Sequence, residues 1–126
     1  MNMEYKAVLA EEYEYRELEC KEAHEAVHSL KYGDDRLGFY STRYLEALAR
    51  RTEIEKVMRI LDSAEKDALK KEYSAITERA KALSNSMAYT QRGHNFFRQQ
   101  YLEASAKVAE FETVMHILGI PSSVYS

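Results

Sequence analysis

The stretch Leu61-Asp62-Ser63-Ala64-Glu65-Lys66-Asp67-Ala68-Leu69 decides between two architectures. From Phe39 to Gln91 the chain has neither Gly nor Pro, so a helix running through this stretch would be a rod of about 50 residues and roughly 75 Å. Asp62-Ser63-Ala64-Glu65 has the Asp-x-x-Glu spacing that caps a new helix. The apolar rhythm also stutters here, with two steps of four residues from Leu61 to Leu69. A chain of 126 residues is the size of one compact domain, and a compact domain favours the bend over one continuous helix.

Working outward, each side of the stretch carries an apolar stripe in alternating steps of four and three, the period of a helix with one buried seam. Upstream, Tyr44, Ala47, Ile54, Met58 and Leu61 form one stripe, with Leu45 and Leu48 beside it. With Ser41 as N-cap, it predicts a helix over 41–61. Downstream, Leu69, Tyr73, Ile76, Ala80, Leu83 and Met87 predict a helix over 63–91. Gly93 in Gln91-Arg92-Gly93-His94-Asn95 breaks it, and Asn95 caps the next. Phe97, Tyr101, Ala104, Val108, Phe111, Met115 and Leu118 then predict a helix over 96–118, stopped by Gly119-Ile120-Pro121. Residues 120–126 read as a loose tail.

At the other end, Leu9, Tyr13, Cys20, Ala23, Val27 and Leu30 predict a helix over 4–31, interrupted by Arg16 where the rhythm asks for an apolar side chain. Tyr32-Gly33-Asp34-Asp35-Arg36-Leu37-Gly38-Phe39 is turn chemistry. The expected fold is all-α: an antiparallel up-down-up-down four-helix bundle over 1–126, or long coiled-coil-like hairpins completed by dimerisation. No period of 20 to 50 residues recurs.

Hydrophobic residues make up 45% and charged residues 31%, with four Gly and one Pro, which suits helices and leaves strands nowhere to turn. One cysteine, no leader pattern at Met1 and no apolar run of membrane-crossing length lead to the expectation of a cytoplasmic protein without membrane contact. The net charge of -3 gives no general affinity for nucleic acid. Eight Glu between Met3 and Lys31 face only Lys6, Arg16, Lys21 and Lys31, a solvated face or a surface for a basic partner.

His24-Glu25-Ala26-Val27-His28 matches the HExxH pattern, which sets two zinc ligands and a general base on one turn. Asp34 stands where some metal-peptidase families place a third ligand. A zincin also needs a sheet beside the metal, and the residues before His24 supply none. Chance HExxH matches are expected in a chain with four His and 17 Glu, so two boundary histidines are the plainer reading, with a zinc-dependent hydrolase as the alternative. No nucleophile-base set, phosphate loop or Cys cluster appears, and no cofactor is implied.

If the chain bends at Asp62-Ser63, the loops around 32–40 and 91–95 share one end. Arg36, Arg43, Arg92, Arg98 and His94 would then gather near Tyr40 and Phe96, a candidate site for a nucleotide or another anionic small ligand. Ten tyrosines without tryptophan favour interfaces. The expected function is therefore non-enzymatic binding of a protein partner, with self-association into a homo-oligomer through Leu45, Leu48 and Leu102. Small acidic domains of this style are frequent among regulators and inhibitors of phages and mobile elements.

Overall fold

A computed structural model describes residues 4–63, 65, 67–89 and 94–126, with the backbone alone for Glu4, Tyr89, His94 and Asn95. The described residues form helices α1 (Glu4–Ser29), α2 (Leu37–Asp62), α3 (Ala68–Tyr89), α4 (His94–Leu118) and α5 (Ser122–Tyr125). The fold is an all-α bundle, and no described helix is long and apolar enough to cross a membrane.

The chain does bend after Asp62. Ser63 turns to extended backbone, its amide reaches the Arg59 and Ile60 carbonyls, and its hydroxyl donates to the Ile60 carbonyl at 2.7 Å. Asp62 therefore ends α2 instead of opening α3. Its carboxylate accepts the Tyr5 hydroxyl and pairs with Lys6 at 3.6 Å. α3 begins at Ala68, five residues later than expected, after Asp67 takes the left-handed conformation (φ 63°). Ala64 of that Asp-x-x-Glu spacing lies outside the described residues.

α2 starts four residues earlier than the Ser41 cap implied. Of the two glycines in that turn only Gly33 has positive φ (92°), whereas Gly38 lies inside the helix. Asp34 sets the turn that leads into it: its carboxylate accepts the amide of Arg36, the residue before the helix, at 2.8 Å and its carbonyl the Leu37 amide at 3.1 Å. The stop after α4 is as expected. Gly119 turns left-handed (φ 70°), and the Ile120 amide closes on the Met115 carbonyl at 2.9 Å. The tail is not loose, because Pro121 starts α5 and Tyr125 packs edge-on against Tyr73 and Phe111, 4.8 and 5.2 Å between centroids.

α2 and α4 lie side by side and run the same way, flanked by antiparallel α1 on α2 and α3 on α4. The α1/α4 and α2/α3 contacts are sparse, leaving two seams. The largest apolar cluster, Tyr5, Leu9, Ile54, Val57, Ile76, Phe111, Val114 and Met115, sits where α2 and α4 end. Ala47, Ala49, Ala104 and Ala106 continue the buried side toward their starts.

The two hairpins repeat one another. Tyr44–Leu61 and Tyr101–Leu118 are identical at eleven of eighteen positions, from Tyr-Leu-Glu-Ala through one buried glutamate to Val-Met-x-Ile-Leu. Burial follows the repeat: Ala47 and Ala104, Glu53 and Glu110, Ile54 and Phe111, and Val57 and Val114 are all buried. The Tyr13 hydroxyl donates to Glu55 at 3.0 Å, and the Tyr73 hydroxyl donates to the equivalent Glu112 at 3.2 Å. The offset is 57 residues between α2 and α4 and 60 between α1 and α3, where Leu9, Glu12, Tyr13 and Lys21 match Leu69, Glu72, Tyr73 and Lys81; both exceed a stacked solenoid unit, because the repeated object is a whole hairpin. The chain thus contains both hairpins of its bundle, where the dimerising alternative needed a second copy.

Candidate interaction surface

α1 has two faces. The inner one carries Tyr5, Leu9, Cys20 and Ala23, with Arg16 in the same stripe and only 9% exposed. The interruption seen in the sequence is thus a buried cation. Arg16 Nε lies 2.9 Å from Glu12 and 3.0 Å from Glu110 of α4, and Arg50 Nε of α2 lies 2.7 Å from the same Glu110 oxygen. Glu110 is wholly buried, which would be untenable without such partners.

The outer face carries Val8, Tyr15 and Leu18, about half exposed at 48, 55 and 54%. Seven residues separate Val8 from Tyr15 and three separate Tyr15 from Leu18, so the three lie along two to three turns of one side. The Arg16 guanidinium stands 4.8 Å from the Tyr15 ring centroid and steadies it. Val8, Glu11, Glu12 and Tyr15 form a shallow groove with Ile117 of α4 along the α1/α4 seam. Glu11, Glu14, Glu17, Glu22 and Glu25 are exposed around this strip, and among the described residues none of them is in an ion pair.

The HExxH residues are placed on the last turns of α1. His24 and His28 Nε2 atoms are 3.0 Å apart, both rings are exposed, and His24 packs 5.2 Å from Tyr44. Asp34 is not brought to them, because Arg36 holds both its oxygens at 3.1 to 3.2 Å. That contact also holds its carboxyl below the usual range, through the Arg36 side chain and then its amide. Among the described residues no three His, Cys, Asp or Glu side chains are grouped to hold a metal.

The loop-end cluster is only partly assembled. Arg36 is taken by Asp34, Arg43 and Arg98 are exposed, Tyr40 is half-buried, and Phe96 is exposed. Phe39 packs edge-on to Tyr40 and Phe96 to Phe97, each pair within its own helix. Arg92 and the side chain of His94 lie outside the described residues. The Asp34 carboxylate already occupies the start of α2, where the anion was expected.

Sequence reasoning missed the buried acids Glu53, Glu72 and Glu110, which interrupt no stripe yet are 1, 6 and 0% exposed. The signal that finds Glu53 and Glu110 is the hairpin repeat. No protein-family model, curated protein or solved structure matches this chain.

Proposed function

We propose that this protein works by binding another protein, and that the outer face of α1 is the contact surface. The observation carrying this reading is the exposed strip Val8, Tyr15 and Leu18 set among carboxylates that form no ion pair among the described residues. The repeat supports it. At equivalent places α3 has Ala68, Ala75 and Glu78, and in place of Glu11, Glu14, Glu22 and Glu25 it has Lys71, Ser74, Ala82 and Asn85. The shared hairpin fold does not require the strip, so its apolar and acidic character is a property of α1 alone. A basic amphipathic segment fits it: apolar side chains cover the Tyr15 and Leu18 strip while Lys or Arg meet the carboxylates.

The test is affinity capture from the source cells with wild type and with Tyr15→Ser/Leu18→Ser, after confirming equal melting temperatures. The expected result is one wild-type partner with a basic, apolar segment, released by raised salt and absent with the double variant. Equal capture by both proteins removes α1 as the surface.

A further inference from the structure

We propose that the two hairpins are clasped by one shared proton at each seam, in the Glu12–Glu110 pair on one side and the Glu53–Glu72 pair on the other, and that the bundle loosens along these seams when the protons leave. The hairpins meet mainly along α2/α4, and helix packing across α1/α4 and α2/α3 is sparse, so the few side chains that bridge there, the Arg16–Glu110 and Lys56–Glu72 ion pairs included, set how tightly the seams close. Each seam is crossed by one glutamate pair. Glu12 of the first hairpin meets Glu110 of the second, and Glu72 of the second meets Glu53 of the first. Glu110 is the repeat equivalent of Glu53, and Glu72 that of Glu12, beside the equivalent tyrosines Tyr73 and Tyr13. Such reciprocity is the mark of a two-fold contact.

Burial of unpartnered oxygens supports the protons. Glu53 Oε2, Glu72 Oε2 and Glu110 Oε2 are buried without a hydrogen-bond partner among the described residues. Two facing carboxylates cannot hydrogen-bond, but a carboxyl and a carboxylate can, and one proton per pair supplies the missing donor. The surrounding charges differ between seams. Glu110 faces Glu12 and Arg16 of α1 and Arg50 of α2. Glu53 faces Glu72 of α3 and Lys107 of α4, with Lys56 of its own helix bridging to Glu72 at 2.8 Å. Arg50 and Lys107 are repeat equivalents, whereas the Arg16 position is Ile76 in the second seam.

Burial first, then the partner acid, raises Glu110 to about 7 and Glu53 to about 9. The two guanidiniums around Glu110 account for the lower value. Glu12 and Glu72 are lowered: burial opposes this, and the hydrogen bonds from Glu110 and Glu53 outweigh it together with Arg16 and Lys56. The α1/α4 seam therefore releases its proton first.

The experiment is infrared titration of the full chain from about pH 5 to about pH 10, with Glu110→Gln, Glu53→Gln and the double variant, alongside melting curves. The wild type should show two protonated-glutamate carbonyl bands, one lost near neutrality and one at alkaline pH, each step lowering the melting temperature by roughly 5 °C or more. Glutamine donates an N–H at every pH, so each single variant should lose one band and one step, and the double variant both. Labelling of the buried Cys20, four residues from Arg16 on α1, should speed up through the first step in wild type and not in Glu110→Gln. Wild-type spectra without a protonated carboxyl at about pH 6 would overturn the proposal whether or not the variants fold. Variants that keep both melting steps would overturn it too.

Discussion

Gly119 and Gly38 are both small residues in or beside helices, and their backbone angles give them opposite roles. Gly119 has φ 70° with nothing within 4 Å of an added Cβ, so Gly119→Ala meets only backbone strain and should cost about 1 kcal/mol. Gly38 sits inside α2 with equally open space and no positive φ, so Gly38→Ala should stabilise by about 0.5 to 1 kcal/mol. Urea denaturation of both variants checks the pair, and equal signs would contradict the backbone assignment. Glu110 is the costlier position. Glu110→Ala leaves the buried Arg16 and the partly buried Arg50 guanidiniums without their shared partner, a loss of about 3 to 5 kcal/mol. Arg16→Ile should lose less at acidic pH, because the second hairpin already holds Ile76 at that position and Arg50 still reaches Glu110.

At the scale of elements, the repeat makes equal effects the expected outcome. Tyr13→Phe and Tyr73→Phe each remove one hydroxyl-to-glutamate bond between the helices of one hairpin, worth about 0.5 to 1.5 kcal/mol, and the two losses should add. The four long helices and the bend were legible because their stripes and the breaks near Gly33, Asp62 and Gly119 follow local rules. The starts of α2 and α3 differ from the expected ones because the turn around Asp34 and the left-handed Asp67 precede them, not caps at Ser41 and Asp62. α5 was missed because nothing local calls for order there: Tyr125 is held by Tyr73 and Phe111, one 52 residues back in sequence and on another helix. The buried acids escaped for the same reason, since a glutamate reads as surface until its partners from other helices are known. Of the sequence-derived sites, the His24–His28 neighbours are there, but Asp34 and Arg36 satisfy each other instead of a ligand.

For the whole molecule, the carboxyl groups set the pH range of greatest stability. Glu110 and Glu53 bind their protons more tightly folded than unfolded, so their contribution is full below the ordinary 4.5 and falls as pH rises through about 7 and about 9. Glu12, Glu72, Asp62, Glu65 and Asp34 are lowered and act in reverse, contributing above the ordinary carboxylate range and losing that contribution as pH falls below it. The melting temperature should therefore peak in the mildly acidic range and decline on both sides, which a pH series of melting curves measures. A maximum above about pH 8 would contradict the assignment of the buried acids.

Joining two like hairpins in one chain also lifts a restriction that symmetric assemblies live under. In a homodimer every substitution appears twice, so a charge that helps one side is imposed on the other. Here Arg16 corresponds to Ile76, Lys56 to Thr113, Tyr15 to Ala75 and Leu18 to Glu78. The asymmetry lets α1 carry groups that α3 lacks while both hairpins keep the buried α2 and α4 glutamates.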